Sequence, residues 1–302
     1  MLSTEAFEIP AAQITAALKG EPKRTAVAGA ESELALISAQ HAQETGLIVP
    51  VLVGDGAAIR DMARRIAWDI SDVEIVESDD ERETSAKAVA MARAGDVDLL
   101  MKGSVHTEAL MRAAVNREQG LRTDRLMSHV FQVTFPGTER ALYITDAALN
   151  VAPHVEQRLG ITRNAVELLN KAGIATPKVA VLSAVEVRNH SVPSSLDAAY
   201  IAELAQEGAV ENAIVEGPLS FDLAVSPQAA SIKGLKSEVA GRADLVVVPN
   251  IETGNTLFKA LVYFRSATAA GLVLGAKVPI ILTSRADPPE ARLAAVAFAM
   301  MA

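Results

Sequence analysis

The chain has no cysteine among its 302 residues. This absence excludes disulfide bonds, thiolate metal sites and a covalent cysteine nucleophile. It also fits a reducing compartment, and we expect a cytoplasmic location. Aromatic residues are scarce at 4%, whereas hydrophobic residues make up 50% of the chain. Such an aliphatic composition is typical of parallel sheets that are covered by helices.

Long apolar segments and an excess of positive charge are also lacking. The richest apolar stretch, residues 293–302, is shorter than the ~18 residues of a membrane span and predicts a buried C-terminal helix. The first residues do not have the basic and then apolar pattern of a signal peptide. The net charge of −9 argues against a general nucleic-acid binder. The five histidines lack metal-ligand spacing, so we expect no metal site, and no nucleic-acid or membrane partner.

Strand-like and helix-like segments alternate along most of the chain. Apolar runs at 24–29, 48–53 and 97–102 predict strands, and each is followed by a segment of helical character. This alternation predicts an α/β fold with a mostly parallel sheet. The middle of the chain differs, because residues 126–134 and 140–145 predict two adjacent strands, which we expect to be antiparallel.

The change of pattern predicts two α/β domains. The first comprises residues 1–125 plus 270–302, and the second comprises residues 126–269. The chain would return to the first domain near residues 265–275, so that the last strand and helix complete that domain.

Polar side chains follow a buried strand near the C-terminus. The apolar run at 278–283 ends in Ser284, Arg285 and Asp287. A helix start follows, with Asp287 as the expected N-cap and Pro288 as the expected first helical residue. A guanidinium beside a helix N-terminus attracts anions, so this segment predicts an anionic substrate such as phosphate.

Other strand ends carry groups of the same kind. They are Lys102 with Gly103 and Ser104, Asp146 with Asn150, and Thr253 with Gly254 and Asn255. We expect the last three residues to form a turn before a helix at 256–263, where the glycine allows close backbone approach to a phosphate. Because the carboxyl ends of parallel strands lie along one edge of a sheet, these groups are expected to converge.

Taken together, these segments resemble the phosphate acetyltransferase / phosphate butyryltransferase family. The matching segments run in the same order over roughly residues 15–302. They are 100–104, 145–150, 216–225, 239–249, 253–255, 271–279 and 284–285.

The resemblance implies the reversible reaction of acyl-CoA with phosphate to give acyl phosphate and CoA. It implies two α/β domains with a cleft between them, similar to isocitrate dehydrogenase, and usually a homodimer. It implies no cofactor, with coenzyme A and phosphate as substrates. Ser284 and Arg285 match the family's catalytic pair, and residues 253–255 match its phosphate-side turn. Residues 102–104, Asp146 and Asn150 also fit the family pattern, and we expect them to bind substrate.

One departure concerns the general base. Acetyl-type members place an aspartate several residues after the Ser-Arg pair, but an ungapped count reaches Ala291 here. Asp287 is therefore a candidate catalytic acid or base, with Glu290 as a weaker candidate, although a helix cap would also explain both. The Ser-Arg-Ala-Asp form resembles the butyryl-type branch, and the length of the acyl chain stays open.

Two alternatives remain open from the sequence. A non-catalytic acyl-CoA-binding protein would explain the missing aspartate. An NAD- and metal-dependent hydroxyacid dehydrogenase on the same fold would need clustered metal-binding aspartates and a nucleotide site. The segment Gly54-Asp-Gly56-Ala-Ala-Ile59 ends in isoleucine where the dinucleotide fingerprint has glycine or alanine, which favours a turn.

Overall fold

The computed structural model describes residues 3, 5–283 and 287–302. The strands are β1 (Lys23–Ala28), β2 (Ile48–Gly54), β3 (Glu74–Glu77), β4 (Leu99–Lys102), β5 (Ser128–Thr134), β6 (Leu142–Thr145), β7 (Lys178–Leu182), β8 (Ile214–Leu219), β9 (Leu245–Val247), β10 (Thr268–Leu274) and β11 (Ile280–Ile281). The helices are α1 (Ala11–Ala17), α2 (Glu33–Glu44), α3 (Gly56–Arg65), α4 (Glu81–Ala94), α5 (Thr107–Ala114), α6 (Val155–Lys171), α7 (Pro193–Leu204), α8 (Phe221–Val225), α9 (Pro227–Ile232), α10 (Ile251–Arg265) and α11 (Pro289–Ala299). A π-helical turn, Ala205–Ala209, follows α7.

The chain divides into two compact units. The first unit comprises residues 9–125, 270–283 and 287–301, and the second comprises residues 3, 5–8, 126–269 and 302. Residues 5–8 therefore lie in the second unit, although the sequence analysis assigns them to the first domain. The Ser266 and Thr268 hydroxyls hold them there by donating 2.7 Å hydrogen bonds to the carbonyls of Glu5 and Glu8. The division of the chain into two independently folding domains stays a prediction.

The sheet of the first unit is mostly parallel. Its strands are ordered β3-β2-β1-β4-β11-β10, and only the β11–β10 pair, with Leu272 opposite Ile281, is antiparallel. The strand β10 occupies the segment in which we expect a crossing between domains. The inner strands are buried on both faces, as their near-continuous apolar sequences require.

Helix caps in the first unit follow directly from the sequence. Ser32, Asp55 and Asp80 each accept hydrogen bonds from backbone N–H groups in the first turn of α2, α3 and α4. The helix α4 ends at Gly95, whose φ of 85° lies in the left-handed region that favours glycine. These caps satisfy backbone N–H groups in the first turns of the helices that follow β1, β2 and β3.

The sheet of the second unit has the order β5-β6-β9-β7-β8. The pair β5–β6 is antiparallel, with Val130 opposite Thr145, which confirms the expected pair of antiparallel strands. The other pairs are parallel. One apolar core joins the sheet to α8, α9 and α10, and its fully buried members include Ile144, Ala180 and Val246.

Within the described residues, no helix is both long and apolar enough to cross a membrane.

Candidate active site

The buried lysine Lys102 ends strand β4. Its side chain is only 4% exposed, so it is not a solvated surface lysine. The Nζ ammonium donates hydrogen bonds to the carbonyls of Gly103, at 3.2 Å, and Val105, at 3.3 Å. These contacts hold a positive charge at the carboxyl end of a central strand of the first unit.

The glycine after Lys102 is required by close backbone packing. A Cβ at Gly103 would lie 2.2 Å from the carbonyl oxygen of Gly29 and 2.9 Å from that of Ala28. Backbone hydrogen bonds stabilise this contact. The N–H of Gly103 donates to the carbonyl of Ala28 at 2.8 Å, and the N–H of Ser104 donates to the carbonyl of Gly29 at 2.7 Å. Any larger residue at position 103 would displace the loop that carries Lys102.

Ser104 lies in different electrostatic surroundings from Lys102. Its hydroxyl donates a 2.5 Å hydrogen bond to Glu31. It also lines a cavity of 370 Å³ whose wall carries several carboxylates, among them Asp55, Asp79 and Asp80. Because carboxylates repel anions, the described geometry favours Lys102 over Ser104 as a phosphate-binding group.

Thr283, two residues after the end of β11, lies beside Lys102 in the first unit. The hydroxyl of Thr283 donates a 3.5 Å hydrogen bond to the carbonyl of Lys102. Ser284 and Arg285, the predicted catalytic pair, lie outside the described residues. The described structure resumes at Asp287, whose carbonyl accepts a 3.3 Å hydrogen bond from Nε of Arg292.

The expected cap of the last helix is shifted by one residue. The N-cap of α11 is Pro288 and the first helical residue is Pro289, whereas the sequence suggests Asp287 and Pro288. Asp287 therefore precedes the N-cap of α11, so the expected cap position is wrong by one residue. Ala291 is buried at the position where acetyl-type members have their aspartate.

In the second unit, Asp146 organises the loop after β6. One carboxylate oxygen accepts from the backbone N–H groups of Ala148, at 3.0 Å, and Leu149, at 2.9 Å. The other accepts from the backbone of His129, at 3.0 Å, and from the amide of Asn150, at 2.6 Å. With four donors on a buried carboxylate, Asp146 shapes the loop and is poorly suited to touch a phosphate directly.

The adjoining histidine, His129, is 1% exposed and packs edge-on against Phe131, with ring centroids 4.4 Å apart. Burial lowers its pKa from 6.5 to about 4, and the nearby charge of Asp146 opposes that shift. The imidazole is therefore neutral at pH 7.

Residues 253–255 lie in the first turn of α10 and not in a preceding turn. The helix begins five residues earlier than expected, because Asn250 is its N-cap and accepts from the backbone N–H of Thr253 at 2.9 Å and from its hydroxyl at 2.6 Å. Gly254 packs directly on Ala147, and Asn255 donates a 3.5 Å hydrogen bond to the carbonyl of Ala147. The structure thus brings the predicted phosphate-side residues together with the Asp146 loop in the second unit.

Among the described residues, no group of three acidic or histidine side chains is placed to hold a metal ion. A metal-free reaction stays a prediction.

Comparisons with known proteins decide the family. The chain matches the family model described as "Phosphate acetyl/butaryl transferase" over residues 81–300. It is 46% identical over 288 residues to the phosphate acetyltransferase of Rhizobium meliloti, which covers 95% of this chain and 91% of that relative. The chain belongs to the phosphate acetyl/butyryltransferase family.

Members of both branches of this family resemble the chain. The phosphate butyryltransferase of Clostridium acetobutylicum is 39% identical over 281 residues, covering 93% of each chain. Among solved structures, a branched-chain phosphotransacylase from Enterococcus faecalis V583 is 31% identical with a TM-score of 0.80, covering 92% of this chain and 98% of that one. The identities do not separate the acetyl from the butyryl branch.

A more distant likeness bears on the fold alone. A 4-hydroxythreonine-4-phosphate dehydrogenase from Burkholderia phymatum aligns with a TM-score of 0.59 at 15% identity, covering 93% of this chain and 99% of that one. Together with the phosphotransacylase it confirms the predicted α/β fold of the isocitrate-dehydrogenase type.

Sequence reasoning missed one buried charged residue, Arg292, in the first unit. Arg292 lies on α11, is 4% exposed, and contacts both Thr283 and Asp287. The available signal was a single arginine among alanine, leucine, valine and phenylalanine, because a lone charge in an apolar helix needs a partner.

Proposed function

We propose that this chain is a phosphate acyltransferase that interconverts acyl-CoA and phosphate with acyl phosphate and CoA. The observation that carries the proposal is its 46% identity to a phosphate acetyltransferase over 95% of the chain. The dehydrogenase alternative is not favoured, because the likeness to such enzymes concerns the fold alone. The binding-protein alternative is not favoured either, since the curated relatives are transferases.

In the proposed reaction a phosphate oxygen attacks the thioester carbonyl. The new C–O bond forms and the C–S bond breaks, and the proton of hydrogen phosphate passes to the departing thiolate to give free CoA. Negative charge grows on the carbonyl oxygen of the tetrahedral intermediate, so a positioned donor lowers the barrier by about 2.7–4 kcal/mol. We assign this role to Arg285, with Ser284 as a hydrogen-bond donor to the sulfur or the phosphate.

The buried ammonium of Lys102 supports an anionic substrate in the first unit. Its strand end is hydrogen-bonded to Thr283, the residue before the proposed Ser284–Arg285 pair. A cation held in a poorly solvated position interacts more strongly with a phosphate than a surface cation does. Gly103 would support phosphate binding by allowing the loop after β4 to pack closely. Ser104 would support it by holding the same loop through its hydrogen bond to Glu31.

In the second unit, we assign phosphate binding to the first turn of α10. The N-terminus of a 15-residue helix carries partial positive charge, which favours a bound anion. Thr253 and Asn255 would supply polar side chains, while Gly254 allows the helix to approach Ala147. Asp146 and Asn150 would act by holding the loop against which this turn packs.

Asp287 is our proposed carrier of the transferred proton. It follows the proposed Ser284–Arg285 pair by two residues, and its carbonyl accepts a 3.3 Å hydrogen bond from Nε of Arg292. A carboxylate close to a bound phosphate would accept the phosphate proton and return it to the thiolate.

The remaining parts of the proposal concern partners and location. We propose that no cofactor is needed, that coenzyme A and phosphate are the substrates, and that the enzyme acts in the cytoplasm, where coenzyme A is available.

We also propose a homodimer. Tyr263 and Phe264 at the end of α10 are 47% and 60% exposed, and large apolar side chains that are exposed together are typical of an interface between subunits.

The proposal is tested by phosphate-dependent release of the CoA thiol from acetyl-, propionyl- and butyryl-CoA, followed with a thiol-reactive dye. We expect release that requires phosphate and falls by roughly 100-fold or more in Arg285→Ala. The matched control is Arg112→Ala, which removes an exposed arginine that pairs with Glu108 along α5. Folded protein that releases no thiol from any of the three substrates would contradict the proposal.

A further inference from the structure

The guanidinium of Arg292 contacts both ends of one short segment. Its Nη1 donates a 3.3 Å hydrogen bond to the hydroxyl of Thr283, and its Nε donates a 3.3 Å hydrogen bond to the carbonyl of Asp287. Residues 284–286, which include the proposed catalytic pair, connect these two acceptors along the chain.

The acceptor Thr283 is itself tied to the lysine strand. It is 3% exposed, and its hydroxyl donates to the carbonyl of Lys102 at 3.5 Å. A continuous series of polar contacts therefore runs from the end of β4 through Thr283 to Arg292 on α11. These contacts fix the point at which the chain leaves the sheet of the first unit.

Arginine is suited to this task by its shape. The guanidinium is planar and presents its N–H donors in a rigid fork, so Nε and Nη1 donate to two acceptors that lie at a fixed distance from each other. A lysine carries the same charge on a single flexible nitrogen and does not reproduce that spacing.

The position of Arg292 is costly for a charged residue. The side chain lies in a helix whose neighbouring residues are apolar and buried, and burial lowers its pKa while the Asp287 carboxylate opposes that shift. Apolar residues of similar volume often replace buried ion pairs without loss of stability. An arginine here therefore fits a role in arranging the segment better than a role in packing alone.

We propose that Arg292 is a positioning residue for the proposed reaction, which acts by holding Thr283 and Asp287 in place. It acts through its two acceptors and does not touch the substrate. The inference rests on the proposed function, because the arrangement of this segment matters to the rate only if acyl transfer occurs there.

Two variants separate the charge of Arg292 from its geometry. We expect Arg292→Met to lower kcat by roughly 100-fold, since a misplacement of about 1 Å has that effect, while KM for acyl-CoA changes little. We expect Arg292→Lys, which keeps the charge, to lose roughly tenfold in kcat. Guanidinium ion at low millimolar concentration should partly restore Arg292→Ala and should not affect Arg112→Ala, the exposed control.

Hydrogen exchange gives a readout that does not depend on activity. Peptides covering residues 278–291 should exchange faster in Arg292→Met than in wild type, while peptides from α2 are unchanged. A kcat in Arg292→Met and Arg292→Lys equal to that of wild type would overturn the proposal. Faster exchange throughout the first unit, with no rescue by guanidinium, would also overturn it, because Arg292 would then be a packing residue only.

The failure of the proposed function is distinguishable from the failure of this inference. If the wild type shows no acyl transfer, the proposed function fails, and the positioning role in catalysis fails with it. If the wild type is active but exchange and kcat of the Arg292 variants match it, only the inference about Arg292 fails.

Discussion

Gly254 and Ala147 lie so close that residue 254 has no room for a side chain. A Cβ at position 254 would lie 2.7 Å from the Cβ of Ala147 and 2.8 Å from its Cα. The first turn of α10 therefore packs directly on the loop that Asp146 organises. The glycine is required by this contact and not by an unusual backbone conformation.

The first prediction concerns that contact. Gly254→Ala should destabilise the protein by about 1–3 kcal/mol and raise KM for phosphate, because the added methyl pushes α10 away from the loop. The matched control is Gly160→Ala in α6, where a Cβ meets nothing within 4 Å. That change should stabilise by about 0.5–1 kcal/mol. Urea unfolding and steady-state kinetics check both, and equal effects of the two changes would contradict the prediction.

The second prediction concerns the carboxylate of Asp146. Asp146→Asn places an NH₂ group against backbone or side-chain donors, so the free energy of unfolding should fall by about 3 kcal/mol. Activity should fall as well, since residues 253–255 pack on the same loop. The exposed Asp72→Asn serves as the control in denaturant unfolding. Wild-type stability in Asp146→Asn would show that these four hydrogen bonds do not hold the loop.

The third prediction separates function from packing at Lys102. Lys102→Met keeps a side chain of similar length but leaves the carbonyls of Gly103 and Val105 without their donor, so the free energy of unfolding should fall by about 1–3 kcal/mol. The KM for phosphate should rise by roughly tenfold or more, because a nearby positive charge is lost. The exposed Lys171→Met is the control. Unchanged kinetics with intact folding would assign Lys102 to the structure alone.

The fourth prediction concerns pH. Burial lowers the pKa of His129 to about 4 in the folded protein, from 6.5 in the ordinary state. Between these values the unfolded chain binds a proton that the folded chain does not, so stability falls as the pH falls, by up to about 1.4 kcal/mol per pH unit. His129→Gln should flatten that slope between pH 6.5 and 4, whereas His41→Gln, at an exposed position, should not. An identical slope in all three proteins, measured by urea unfolding, would count against the buried neutral imidazole.

Much of the fold was predictable because its strands and helices have clear hydrophobic patterns and because cap residues mark the ends of the helices. The apolar run of β2 and the Asp80 and Gly95 caps of α4 are local features that need no tertiary information. The antiparallel pair β5–β6 was predictable from the turn residues at Pro136 and Gly137 between two apolar runs.

The remaining features depend on contacts between distant residues. The early start of α10 depends on Asn250, whereas Asn255 five residues later is an equally good cap by sequence alone. The sequence pattern of strand β10 does not differ from that of a linker. Its assignment as a strand depends on its antiparallel pairing with β11. The role of Arg292 depends on its distance to Thr283, nine residues earlier in the chain.

The most direct test of the proposed acyl transfer is phosphorus NMR of phosphate incubated with butyryl- or acetyl-CoA and the protein. We predict that the signal of inorganic phosphate decreases and that of an acyl phosphate appears in equal amount, with one free CoA thiol per acyl phosphate. Adding CoA and acyl phosphate instead should regenerate phosphate and acyl-CoA. Thiol release without any acyl phosphate would identify a thioesterase and would contradict transfer to phosphate.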